Sequence, residues 1–243
     1  MAEMENPAEH FYIKRYITSV QEPWEGISKQ ALAEAACRKV DADRRQKLEG
    51  KKQAGAWRES LAAGLLIQRA VADYVEERKR ANTDKGDDLQ GNERDGLLEI
   101  PIKELAEDGR FPLDIHYRYG EHGKPYFADV PLFFSISHSA GSVLCVVSER
   151  QVGADIQCVR NILPNGMVER FFSEEEKRSW QLLAEKERAD FFYRAWTRKE
   201  AYGKLAGDGV LRALDRNLFG ERCGIHWEEY RKDDMYIAIC VGD

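Results

Sequence analysis

Phe133-Phe134-Ser135-Ile136-Ser137-His138-Ser139-Ala140-Gly141-Ser142-Val143-Leu144-Cys145-Val146-Val147-Ser148-Glu149-Arg150-Gln151-Val152-Gly153-Ala154-Asp155-Ile156-Gln157-Cys158-Val159 contains three runs rich in β-branched and aromatic residues, separated by short polar turns. Such runs predict strands over Phe133–Ser137, Val143–Val147 and Val152–Val159, with turns at Ser139-Ala140-Gly141 and Glu149-Arg150. Connections this short join antiparallel neighbours, so a meander is expected. Asp155 and Gln157 stand two apart on the third strand, and their side chains therefore leave from one face.

Downstream, Phe172-Ser173-Glu174-Glu175-Glu176 has the cap and acidic first turn of a helix start. The helix after it carries Trp196-Thr197-Arg198-Lys199-Glu200-Ala201-Tyr202-Gly203-Lys204 and ends near Gly207-Asp208-Gly209. Spacings of four place Trp196, Glu200 and Lys204 along one face. Gly203 costs roughly 1 kcal/mol relative to Ala inside a helix, which indicates that another group approaches closely there. Two further runs, Gly224–Glu228 and Met235–Val241, close the chain.

Upstream, Phe11–Ile17 has strand composition, Ser28 caps a helix expected from Lys29 to Ala36, and Trp57–Val75 repeats apolar residues at 61, 65, 66 and 70. Between them Arg44-Arg45-Gln46-Lys47 and Lys51-Lys52 form a basic run. The polar stretch from Arg78 to Asp95 predicts a mobile loop over about residues 80–96. Pro112–Tyr119 predicts a strand, and Gly120-Glu121-His122-Gly123-Lys124-Pro125 a turn. Strand, helices and meander thus occur twice, either side of residues 126–132, which indicates an α+β fold with halves at 1–125 and 126–243.

The chain has 243 residues, 33% of them charged, and a net charge of −6, so nucleic acid is not an expected general partner. Five cysteines without a C-x-x-C pair argue against a disulfide framework or a structural zinc site, and Cys145, Cys158 and Cys240 are expected as packing residues in a reducing cytoplasm. No apolar run approaches the ~18 residues of a membrane span, so neither export nor insertion is expected. No G-x-x-x-x-G-K-[ST] or G-x-G-x-x-G is present, which excludes those two phosphate loops. Asp155, Glu200 and Gln157 offer oxygen ligands of the kind that a hard cation such as Mg²⁺ takes.

In order and spacing, Gly123-Lys124-Pro125, Phe134-Ser135-Ile136-Ser137-His138-Ser139, Gly153-Ala154-Asp155-Ile156-Gln157 and Trp196-x-x-Lys199-Glu200-Ala201-x-x-Lys204 resemble the signature set of the 4′-phosphopantetheinyl transferases. The length and Phe171-Phe172-Ser173 resemble the long, Sfp-type branch, a pseudo-dimer of two α+β halves within one chain. The resemblance implies transfer of the phosphopantetheine arm of coenzyme A to a serine of an apo acyl or peptidyl carrier protein, with release of adenosine 3′,5′-bisphosphate. By the same resemblance Asp155 and Glu200, with Gln157 beside them, would hold Mg²⁺, Lys204 would neutralise the pyrophosphate, and Glu200 would serve as base. Ser137 and His138 would hold phosphates, Lys124 and Pro125 would sit against the adenine, and Arg44, Lys47 and Ser60 would meet the 3′-phosphate. A monomer would suffice. Gln157 stands where many members have a third carboxylate, and it supports an alternative: a coenzyme A-binding protein without turnover, acting as a sensor or partner of synthetase machinery.

Overall fold

In the computed structural model, which describes residues 11–21, 34, 36–83, 96–160, 166–213, 216–219 and 225–242, helices pack on mainly antiparallel sheets, the α+β class expected. The strands are β1 (Ile13–Ser19), β2 (Leu98–Glu99), β3 (Tyr117–Tyr119), β4 (Pro125–Phe127), β5 (Phe133–Ser139), β6 (Ser142–Ser148), β7 (Val152–Cys158), β8 (Ile225–Lys232) and β9 (Met235–Gly242). The helices are α1 (Ala42–Glu49), α2 (Ala54–Thr83), α3 (Ile102–Glu107), α4 (Met167–Phe171), α5 (Glu174–Leu182) and α6 (Glu185–Ala206), with a 3₁₀ turn at Val210–Ala213.

The meander is only partly realised. β5 and β6 form the expected hairpin around Ala140-Gly141, both with positive φ, as a two-residue hairpin loop requires. β7 does not join them. The other edge of β6 is taken by β1, with Tyr16 opposite Cys145, so the chain crosses after Arg150 and β7 pairs with β9 instead, Asp155 opposite Ala238. The result is a four-stranded sheet of order β2-β1-β6-β5, a three-stranded sheet β7-β9-β8 and a β3-β4 hairpin. Within the first sheet β2 runs parallel to β1. This sheet draws β1 and β2 from residues 1–125 and β5 and β6 from residues 126–243, so the backbone pairing crosses the expected boundary.

Strand alternation stacks the layers. Val143, Cys145 and Val147 of β6 face Leu61, Leu65 and Leu66 of α2, while Leu144 and Val146 face Val152, Ala154 and Ile156 of β7 and Ile237 and Ile239 of β9. On the far side of the second sheet, Ala238 and Cys240 pack against Ala201 and Leu205 of α6. Helix, sheet, sheet and helix therefore follow one another. Burial pushes the thiols of Cys145 and Cys240 up to about 12, as befits packing residues, whereas Cys158 is half-buried.

Other expectations shift at their edges. α2 continues through Thr83, beyond the expected start of the loop, because its Glu, Arg and Lys residues are good helix formers and are paired: Glu77 with Lys14, Arg78 with Glu149. The rest of that loop, 84–95, lies outside the described residues, as does most of the helix expected at Lys29–Ala36. Of the strand expected over Pro112–Tyr119, only Tyr117–Tyr119 pairs, with a strand at Pro125–Phe127 where a turn was expected to end. Upstream, Gln68 of α2 stands in for a strand partner: its Oε1 accepts from Leu113 N at 2.6 Å and its Nε2 donates to Leu113 O at 3.2 Å. Ser173 caps α5, as read from sequence, and Glu176 completes a capping box with it. No helix among the described residues is long and apolar enough to cross a membrane.

Candidate active site

β7 and α6 meet at Gly153, where a Cβ atom would lie 2.0 Å from Ala201 O and 2.5 Å from Leu205 N. This approach puts Asp155 beneath the last turns of the helix. Its side chain is 2% exposed and lies 2.7 Å from Lys204 Nζ. Ser137 Oγ donates to Asp155 Oδ1 at 2.6 Å, and Gln157 Nε2 donates to Oδ2 at 2.9 Å. Asp155 and Gln157 thus share a face, as their spacing requires.

Glu200 stands one turn before Lys204 and is half-buried. Burial raises its proton affinity above that of an ordinary carboxyl; the charge of Asp155 raises it further, and Lys204 partly offsets both. Two carboxylates that repel one another, with an ammonium beside them, make a site whose charge a cation would balance.

Lys204 also lines a cavity of about 550 Å³ bounded by α1, α2, the β3-β4 turn, β5 and the C-terminal end of α6. Its walls carry Arg44, Lys47, Lys51, Lys124, His122 and His138, with Ser60, Pro125 and Phe134 between them. Volume and charge suit a nucleotide-sized polyanion. Arg44 Nη1 reaches Ser60 Oγ at 3.5 Å, and Lys47 donates to Tyr119 Oη at 3.1 Å. Lys124 Nζ donates to Leu205 O at 3.1 Å, capping the end of α6, and burial lowers its proton affinity below the usual lysine range.

The structure therefore brings Arg44, Lys47, Ser60, Lys124, Pro125, His138 and Lys204 to one cavity, with Asp155, Gln157 and Glu200 joined to it through Lys204. Ser137 is placed differently. With Ser135 and Ser139 it faces β7: Ser135 Oγ accepts from Ala154 N at 2.9 Å and Ser139 Oγ from Cys158 N at 3.0 Å. These hydroxyls satisfy the edge of β7 that has no strand partner, and the hydroxyl of Ser137 is committed to Asp155. His138 points the opposite way, into the cavity, its Nδ1 3.1 Å from Glu59 Oε2.

Glu59 and His122 line the cavity without having been picked out from sequence, and Lys51, read there only as part of a basic run, lines it too. His122 Nε2 lies 2.9 Å from Asp208 Oδ1, joining the β3-β4 turn to the segment after α6. From Ser60 a helical period reaches Ala63, which also lines the cavity, but not the adjacent Glu59, and nothing local marks Glu59 or His122.

Among the described residues, no cluster of three or more His, Cys, Asp and Glu side chains is placed to hold a metal. The oxygen pair Asp155 and Glu200 nonetheless fits a hard divalent cation: two carboxyl groups supply charged oxygen ligands, and burial together with the charge of Asp155 raises the proton affinity of Glu200. The Gln157 amide turns its nitrogen to Asp155; rotation by half a turn would present Oε1 instead.

Residues 151–234 match the family model of the 4′-phosphopantetheinyl transferase superfamily. That stretch contains Asp155, Gln157, Glu200 and Lys204. A 4′-phosphopantetheinyl transferase of Bacillus subtilis is 34% identical over 136 residues, 56% of this chain and 56% of the relative. The 4′-phosphopantetheinyl transferase HetI of Nostoc sp. is 35% identical over 107 residues, 42% of this chain and 45% of the relative. The 4′-phosphopantetheinyl transferase AcpT of Escherichia coli K12 is 37% identical over 132 residues, 51% of this chain and 64% of the relative. The matches span about half the length of the first of these relatives, and the resemblance read from the motifs is borne out.

Proposed function

We propose that this chain transfers the 4′-phosphopantetheine arm of coenzyme A to a serine hydroxyl of an apo acyl or peptidyl carrier protein. The observation that carries the reading is the Asp155–Lys204 pair, with Glu200 one turn away, opening on a cation-lined cavity large enough for a nucleotide. The two helix-on-sheet units, α2 on the first sheet and α6 on the second, read as halves of a pseudo-dimer, and the cavity takes residues from both.

In the transfer, the serine Oγ bonds to the phosphorus that carries pantetheine, and that phosphorus loses its bond to the bridging oxygen. Adenosine 3′,5′-bisphosphate leaves with the bond's electron pair. Catalysis of this kind is mostly positioning and charge neutralisation. Arg44, Lys47 and Ser60 bind the 3′-phosphate end, Pro125 and the Lys124 stem pack against the adenine, and His138 and Lys204 meet the pyrophosphate. Ser137 orients Asp155 rather than touching the substrate. Glu200, with its raised proton affinity, takes the serine proton directly or through water. Asp155 and Glu200 would hold Mg²⁺, with Gln157 Oε1 after rotation of its amide; when bound, the ion supplies charge neutralisation at the pyrophosphate.

Incubation with coenzyme A, Mg²⁺ and an apo carrier protein tests the proposal. A mass gain of one phosphopantetheine on the carrier supports it; binding of coenzyme A without transfer supports the non-catalytic alternative, and absence of binding removes both.

Gln157 supplies a second expected result. Gln157→Glu adds a negative charge beside Asp155, and charge count is a main determinant of cation affinity at oxygen sites. Calorimetric metal titrations at saturating coenzyme A should show tighter Mg²⁺ binding in Gln157→Glu and slightly weaker binding in Gln157→Ala. Unchanged affinity in both would leave Asp155 and Glu200 as the protein ligands.

A further inference from the structure

Trp196, Glu200 and Lys204 account for one face of α6. Arg198 and Lys199 leave from other positions on the helix and have no part in the chemistry above. The Lys199 side chain is 0% exposed, a burial that an ammonium tolerates only when paired and fully hydrogen-bonded. Its Nζ lies 2.9 Å from Oε2 of Glu176, in the first turn of α5, and donates to the carbonyls of Ala213 and Arg216 at 2.7 Å each. Arg198 beside it donates to Leu218 O. The two basic residues therefore grip the chain that returns after α6.

The same returning chain is pressed against α6 at its other end. A Cβ on Gly203 would lie 2.4 Å from Gly209 C, and Gly209 N donates to Gly203 O at 3.2 Å. Gly207 and Gly209, which line the cavity, and Asp208, paired with His122 from the opposite wall, lie at this second anchor, and Val210–Ala213 runs from there to the first.

We propose that Lys199 is a positioning residue: by holding the Ala213 and Arg216 carbonyls against α6 and α5, it fixes the 207–213 segment, whose Gly207 and Gly209 wall the cavity, and so sets the affinity for coenzyme A without touching it. The inference rests on the cavity being the coenzyme A site, and its test separates the two.

Two variants are compared with the wild type. Lys199→Met alone leaves the Glu176 carboxylate buried without its cation, and its melting temperature should fall by roughly 10 °C. Lys199→Met combined with Glu176→Gln removes both charges while the Gln oxygen still accepts from Ser173 N, so its melting temperature should stay within a few degrees of wild type.

In this folded double variant the KM for coenzyme A should rise about tenfold while kcat at saturation changes by less than about threefold. Amide hydrogen exchange over residues 207–213 should quicken, a readout that needs no substrate. Wild-type KM in the double variant, or wild-type exchange over 207–213, would overturn the proposal. If the wild-type protein neither binds coenzyme A nor transfers its arm, the proposed function fails, and the exchange rates alone decide whether Lys199 holds the wall.

Discussion

Glu200→Gln should abolish transfer and, at the same time, make the protein more stable at neutral pH. Loss of activity follows from removing the base and a metal carboxylate in one substitution. The gain in stability follows from the sign of the proton linkage. The carboxyl of Glu200 is raised above its ordinary value of 4.5, first by burial and then by the charge of Asp155, so the folded chain binds this proton more tightly than the unfolded chain does. Stability from the group is fully present below the ordinary value and is lost as pH rises through the folded value. At pH 7 the ionised form therefore works against the fold, and a neutral amide of nearly the same shape relieves it. Melting curves in the presence of a chelator should place Glu200→Gln above wild type at pH 7, the gap closing below about pH 4. A variant that keeps more than about a tenth of wild-type turnover would rule out both roles of Glu200. One that melts below wild type at pH 7 would show that the carboxylate is stabilised where it stands.

This opposition between activity and stability explains which parts of the chain sequence periodicity could find. Leu61, Leu65 and Leu66 on α2 and the helix cap at Ser173 satisfy local rules and global packing together, so they are legible from spacing and residue type alone. The far end of α2 is not, because its charged residues look solvated until β1 and the end of β6 bring Lys14 and Glu149 alongside. The choice of sheet by β7 is likewise a matter of which edge is free: β6 is already paired on both sides, a fact about β1 that lies more than a hundred residues away in the chain.

Within the site, Ser137 and His138 are neighbours in sequence and opposites in space. Period-two alternation turns one to Asp155 and the other to the cavity. That division was readable from the strand pattern alone, since adjacent strand residues do not address one ligand with both side chains. The burial of Lys199 was not. Nothing in Trp196-Thr197-Arg198-Lys199-Glu200 separates a lysine facing phosphate from one facing two carbonyls and a carboxylate in α5.

The convergence of Asp155 with Glu200 and Lys204 depends on a contact that only a missing side chain permits, and Gly153→Ala should therefore cost activity out of proportion to its size. The added methyl would stand 2.0 Å from Ala201 O and 2.9 Å from Leu205 Cβ, on the helix backbone rather than on the tip of a flexible side chain. It has nowhere to turn, because β7 is held on one side by β9 and on the other by the hydroxyls of Ser135 and Ser139. Relief must come from α6 lifting off the sheet, at a cost of about 3 kcal/mol and a fall of roughly 10 °C in melting temperature. The lift carries Glu200 and Lys204 away from Asp155 and loosens the 2.7 Å pair between them. Misplacement by about 1 Å is enough to cost on the order of a hundredfold in rate, so transfer measured well below the variant's melting temperature should fall by at least that factor. A folded Gly153→Ala protein with near-wild-type turnover would show that the helix slides along the strand instead, and that the carboxylate pair tolerates the slide.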